Sequence, residues 1–195
     1  MKQPKVICIT GGIGSGKSTV CAMLEDKGQH VYYSDERAKA LMQSDPTLID
    51  GIIALLGERA YSMRVLNRSY IAEKIFGNME LKHKLEALVH PAVHKDFDQW
   101  KMVKDSALVF KESALVFEIG DSNCTHIVSV VADEDQRVSR VLARNPELKE
   151  SQIRERLSNQ LDDAYRRAKS DTLLENNGTL EELEIQLNYL LSKVI

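Results

Sequence analysis

The stretch Val6-Ile7-Cys8-Ile9-Thr10-Gly11-Gly12-Ile13-Gly14-Ser15-Gly16-Lys17-Ser18-Thr19-Val20 decides the fold. Val6–Ile9 is short, apolar and β-branched at three of four positions, the pattern of a strand buried on both faces. Glycines follow at once. Val20, Met23 and Leu24 then fall at helical spacing, so a helix is predicted over 18–27, with Gly28 as its stop. His30-Val31-Tyr32-Tyr33 reads as a second strand. Strand, glycine loop, helix, strand predicts an α/β fold: a parallel sheet flanked by helices, joined by right-handed crossovers.

Gly11–Ser18 satisfies G-x-x-x-x-G-K-[ST]. Its glycines allow backbone conformations closed to other residues, so several N–H groups can turn inward around an anion. The helix that follows offers its N-terminal amides to phosphate. Lys17 can reach the β/γ-phosphate charge, and the Ser18 hydroxyl can ligate Mg²⁺. Gly12, Ile13, Gly14, Ser15, Gly16, Lys17, Ser18 and Thr19 are therefore the expected ATP-phosphate binders, in a P-loop NTPase-type fold. A glycine turn with an incidental Lys is the alternative; by residue usage the motif arises by chance in roughly one such chain in a hundred. A GTPase would add D-x-x-G and N-K-x-D elements, and the chain has neither. A kinase for a small acceptor fits the length.

At 195 residues one domain (1–195) is expected, large enough for a core without staples. The composition, 43% hydrophobic and 28% charged, is that of a folded globular chain. A net charge of −3 argues against a nucleic-acid partner, which needs a basic surplus. The three cysteines, Cys8, Cys21 and Cys124, are odd in number and far apart, so no disulfide framework or zinc site is expected. Cys8 reads as a small core residue. The apolar run before Gly11 is too short for a signal-peptide core, and no stretch approaches a membrane span. A cytoplasmic location without membrane partners is expected.

Residues 38–104 carry helical patterns. Asp45-Pro46 starts one helix, whose stripe Leu48, Ile49, Ile52, Ile53 and Leu56 ends at Gly57. A second runs from about Arg68 to Phe76. Asn78 caps a third, His90-Pro91 is expected to break it, and Val93, Phe97 and Trp100 mark a fourth. Such a run between strands reads as a helical insertion (about 38–105) for docking the acceptor. Ala107–Phe110 and Thr125–Ala132 read as strands, Ala114–Phe117 as a continuation or turn, and Gln136–Ala143 as a helix. Ser151–Lys169 reads as one long helix within a lid region (about 144–168). Leu173-Leu174 is a short last strand. Thr179-Leu180-Glu181-Glu182 is a capping box opening a final helix striped by Leu183, Leu187, Leu190, Leu191 and Val194.

Several polar residues are candidates for chemistry. Asp35 follows the second strand, and in open α/β sheets ligands lie beyond the carboxyl ends of strands. It can orient or deprotonate an acceptor hydroxyl, or it can cap a helix over 36–42. Arg137, Arg140, Arg144, Arg154, Arg156, Arg166, Arg167 and Lys169 form a basic segment. For most of these a solvated helix face is expected. Arg140 and Arg144 share one face, where guanidiniums can offset charge on a transferring phosphoryl group. His90 reads as a helix end or an acceptor-phosphate contact, and Glu118 as a water-mediated Mg²⁺ contact or a cap.

Together these motifs resemble the dephospho-CoA kinase family. Ile9–Val20 is similar to its opening, and Ser34-Asp35 with Ala38 to the end of its Asp-Ala-Asp signature. Leu66, Arg68 and Ile75-Phe76 match its central helical segment, and His90-Pro91 its Leu-His-Pro. Leu115–Glu118 is similar to its Pro-Leu-Leu-Phe-Glu, and Arg140 with Arg144 to its Arg-x-x-x-Arg. Arg156 and Gln160 match its lid helix, and Ala168, Asp171 and Asn176-Asn177-Gly178 its late segment. The resemblance runs in order from residue 6 to 178. Tyr33, Val89 and Ala114 depart from it, Tyr33 standing where the family has its first Asp. The resemblance implies ATP and dephospho-CoA as substrates, Mg²⁺ as cofactor, Asp35 as base, and Asn177 and Gly178 beside the adenine. The rivals are a kinase for another small hydroxyl acceptor, such as a nucleoside or a shikimate-like polyol, and a nucleotide-binding regulator without turnover.

Overall fold

The computed structural model describes residues 3–121 and 123–194. They form two compact units: one of residues up to 32 together with 105 onward, the other of residues 33–104.

A five-stranded sheet organises the first unit. β1 (Lys5–Thr10) lies at its centre, between β5 (Leu108–Glu112) and β6 (His126–Val131). β2 (Val31–Tyr33) and β7 (Thr172–Glu175) are the edges, giving the order β2-β5-β1-β6-β7. β1 pairs in parallel with both neighbours, Cys8 opposite Lys111 on one side and Ile127 on the other. β7 continues the sheet parallel to β6. Val6, Ile7, Cys8 and Ile9 are all buried, as a strand covered on both faces requires. α1 (Lys17–Asp26) ends at Lys27, before Gly28 at φ 75°.

After β6 come α7 (Glu134–Arg144), α8 (Glu150–Ser158) and α9 (Asp163–Lys169). The single helix expected over 151–169 is therefore two. The Asp162 carboxylate accepts from Ala164 N and starts α9 anew. α10 (Leu180–Val194) opens with the expected box: Glu182 N donates to Thr179 Oγ1, and Thr179 N to Glu182 Oε2. Its five apolar stripe residues are all buried.

Two of the three cysteines depart from expectation. Cys8 and Cys124 form a disulfide, Cα atoms 5.5 Å apart, across a sequence separation of 116. Wide spacing in sequence hid a pair that the sheet brings together, because β1 and the turn into β6 are neighbours only in the folded sheet. Beside them Lys111 Nζ donates to Asp121 Oδ2 at 2.5 Å, with both side chains buried.

The second unit is helical: α2 (Ser34–Ser44), α3 (Pro46–Leu56), α4 (Arg68–Ile75) and α5 (Met79–Met102). A 3-10 turn (Glu58–Ala60) and a two-stranded hairpin, β3 (Tyr61–Ser62) and β4 (Val65–Leu66), lie between α3 and α4. Asp45 caps α3 by accepting from Thr47 N and Leu48 N, and Asn78 caps α5 by accepting from Leu81 N. α5 is one helix of 24 residues with Pro91 inside it, not two. Leu85, Val89, Val93 and Phe97 bury one continuous i,i+4 stripe through the proline. The hydrogen bond that Pro91 forfeits is to Ala87, and both residues are exposed, so the proline costs the helix no buried backbone partner. Arg37 grips Asp96 with two hydrogen bonds, of 2.8 and 2.5 Å, tying α2 to α5. Among the described residues no helix is long and apolar enough to cross a membrane.

The thiols make a countable test. Cys21 is buried, and burial, with the Glu112 carboxylate second, holds its thiol far above the usual cysteine range. Unreduced native protein will show no fast-reacting thiol, one after denaturation, and three after denaturation with reductant. Cys124→Ser will lower unfolding stability in denaturant by about 4–5 kcal/mol against the oxidised chain, as closure of a loop of roughly 100 residues requires.

Candidate active site

Everything in this site follows from how the loop after β1 is held. Gly16 stands at φ 104° before the first turn of α1, a left-handed conformation that only glycine adopts cheaply. A Cβ there would lie 2.1 Å from Asn176 Nδ2. That contact is close because Asn176, buried at the end of β7, donates from Nδ2 to Ser15 O at 2.8 Å. Lys17 Nζ donates to Gly11 O at 2.8 Å and to Gly12 O at 3.4 Å. Ser15 N donates to Gly12 O and tightens the turn.

A cleft of about 510 Å³ opens over this loop, lined by Gly12, Gly14, Gly16, Lys17, Ser18, Thr19, Glu112, Arg140 and Arg144. Three cations thus face one carboxylate around a set of backbone amides. Arg140 Nη2 donates to Asn176 O at 2.7 Å and to Gln136 Oε1 at 3.0 Å. Its Nη1 is buried and has no hydrogen-bond partner, as does Ser15 Oγ on the loop. An unpaired buried guanidinium nitrogen is costly, and an anion in the cleft would relieve it. Arg144 is the last residue of α7 and is exposed. The donor set fits polyphosphate: amides, an ammonium, two guanidiniums and the exposed hydroxyl of Ser18.

Sequence and structure differ on several candidates. Asp35 is not a helix cap: α2 begins at Ser34 with Tyr33 at the cap, so Asp35 is exposed in the first turn. It belongs to the unit of residues 33–104. His90 lies mid-helix in α5 of that unit and ends nothing. Asn177 spends its side chain on Asp133, accepting from its N at 2.8 Å and donating to its Oδ1 at 3.0 Å. Gly178 abuts Glu182 of the capping box. Asn176, one residue earlier, is the one that meets the phosphate loop. Glu118 sits on a single helical turn, α6 (Val116–Ile119), 3.9 Å from Arg166. Glu112 lines the cleft instead. It is the last residue of β5, and the strand-end rule applied to Asp35 would have found it.

Most of the basic segment is exposed, as expected: Arg144, Arg154, Arg156, Arg167 and Lys169 are. Arg137 and Arg166 are buried. Arg154 binds Glu134, Asp135 and Glu150, which raise its pKa, and Arg167 pairs with Glu175. Arg156 lies on α8.

Residues 5–182 match the family model of dephospho-CoA kinase (CoaE). The chain belongs to the dephospho-CoA kinase family. A dephospho-CoA kinase of Salinibacter ruber is 40% identical over 183 residues, covering 90% of each chain. The crystal structure of TT1252 from Thermus thermophilus superposes with a TM-score of 0.88 at 33% identity, covering 100% of both chains. A dephospho-CoA kinase from Campylobacter jejuni shares the fold at a TM-score of 0.65 and 18% identity, covering 99% of this chain and 98% of that one. The parallel sheet flanked by helices is thus the fold of a kinase family, whose enzymes are phosphotransferases.

Gly16→Ala tests the loop. The left-handed backbone alone will cost about 1–2 kcal/mol in chemical unfolding, and the Asn176 contact adds to it. Asn176→Ala in the same chain will relieve the contact but leave the backbone strained and Ser15 O without its donor, so the double variant will stay less stable than wild type.

Proposed function

We propose that the chain transfers the γ-phosphoryl group of ATP to the ribose 3′-hydroxyl of dephospho-CoA, giving CoA and ADP, the last step of coenzyme A synthesis. The observation that carries this reading is the cleft over the phosphate loop, with Lys17, Arg140 and Arg144 around it and one Arg140 nitrogen unpaired, in a chain of this family.

Phosphoryl transfer asks a protein mainly for position and charge. Amides of Gly12–Thr19 hold the ATP phosphates. Lys17 exchanges its loop carbonyls for phosphate oxygens and offsets charge that moves toward the leaving ADP. Arg140 and Arg144 clamp the transferring group, Arg140 from a position fixed by Asn176 and Gln136. Ser18 would hold Mg²⁺, which supplies further neutralisation of the phosphate oxygens. Asp35 orients the 3′-hydroxyl and accepts its proton as the new oxygen–phosphorus bond forms and the bond to the ADP oxygen breaks. Asn177 and Gly178 border the adenine through their backbone, since the Asn177 amide is already engaged. Residues about 38–105 receive the acceptor, and 144–168 act as the lid of a single kinase domain. ATP as the donor supports a cytoplasmic location.

Purified protein given Mg-ATP will convert dephospho-CoA to CoA. Absence of CoA, with phosphorylation of a nucleoside or a polyol from an acceptor panel, would overturn the assignment. Asp35→Asn will keep ATP affinity and lower kcat by about 10²–10⁴. A near-normal kcat would remove Asp35 from the chemistry.

A further inference from the structure

Ile13, at the tip of the phosphate loop, has both of its main-chain groups held from outside the loop. Its N donates to Gln160 Oε1 at 2.9 Å. Its O accepts from Arg137 Nε at 2.9 Å. Arg137 Nη2 donates to the same Gln160 oxygen at 3.2 Å, closing a ring of three hydrogen bonds. The remaining nitrogen, Nη1, donates to Asp163 Oδ2 at 2.8 Å. Arg137 is 6% exposed. A Cβ on Gly12 would lie 2.0 Å from Arg137 Nη2, so the loop is packed onto the guanidinium itself.

Arg137 is not placed to serve as another phosphate cation. Its charge is met by Asp163, and every nitrogen of its fork has a protein acceptor. Its directionality is what the site uses. A planar guanidinium reaches three acceptors in fixed directions, which an ammonium on a flexible stem cannot do. Gln160 belongs to the break between α8 and α9, and Asp163 opens α9. The ring therefore joins the loop to the segment 159–163.

We propose that Arg137 and Gln160 are positioning residues that set the shape of the phosphate loop and couple nucleotide binding there to the order of segment 159–163. The proposal rests on the reading that this loop binds nucleotide phosphate. The coupling is reciprocal: whatever orders the loop orders the segment, and the reverse.

The test uses the full chain with Arg137→Lys, Gln160→Leu and the double variant. Calorimetry measures Mg-ADP binding without any acceptor, and steady-state assays separate the two KM values. Each single variant is expected to raise the Mg-ADP Kd and the KM for ATP about tenfold or more. The KM for dephospho-CoA stays within about twofold. The double variant is no worse than the weaker single by more than about twofold, because both act on Ile13. In wild type, ADP slows hydrogen exchange at amides 159–163, and this slowing is lost in Arg137→Lys. A merely structural role would lower the melting temperature and the active fraction while leaving both KM values unchanged. Unaltered ADP affinity in both single variants, equal rises in both KM values, or no ADP effect on exchange in wild type overturns the proposal alone. Wild-type protein that binds no ADP overturns the phosphate-loop reading and the proposal with it.

Discussion

A loop whose amides converge on an anion must send its carbonyls the other way, and each of those carbonyls needs a donor. The chain meets this constraint with donors from the loop and its helix and from residues far along the sequence. Gly11 O and Gly12 O accept from Lys17, Ile13 O from Arg137, and Ser15 O from Asn176. Gly16 O accepts from Val20 N in the first turn of α1. The parallel pairing of β1 fixes where the loop begins, and these donors fix where its carbonyls point. α7 is seated by packing Val138 and Val141 against Ile153 of α8, and β7 by its pairing with β6, so each brings its donor to the loop from a position fixed elsewhere.

The same constraint accounts for the basic segment. Residues 136–169 hold nine Lys/Arg against five Asp/Glu, while residues 170–195 hold one against five. A net charge of −3 averages over these unlike stretches. Arg137 and Arg166 are buried with acidic partners, and removing one member of such a pair costs far more than the pair contributes against an apolar replacement. Arg154 and Arg167 form exposed pairs, worth little to stability. Arg140, which lines the cleft, joins a bond to Asn176 O with one buried nitrogen that has no hydrogen-bond partner; Arg166 Nε, away from the cleft lining, is another such nitrogen.

Much of this was legible in the sequence, because the informative features were local. The G-x-x-x-x-G-K-[ST] turn, the Asp45 and Asn78 caps and the Thr179 capping box each state their structure within a few residues. What was not legible needed partners far away. Cys8 and Cys124 meet only once β1 and β6 are paired. Asn176 and Asn177 are identical in type, and only the end of β7 decides which faces the loop. Pro91 looked like a break because the local rule is strong; the buried stripe on one side and solvent on the other outweigh it. The Asp162 cap was a readable signal between α8 and α9, masked by the polar, helix-favouring residues around it.

The central position of β1 has a consequence for biosynthesis. Its sheet partners, residues 108–112 and 126–129, leave the ribosome only after the whole of residues 33–104. At about 5–20 residues per second, the nascent phosphate loop spends several seconds or more with no neighbouring strand. The helical unit is complete before the sheet that precedes it in sequence can assemble. The loop after β1 thus waits for strands that follow the whole helical unit in sequence.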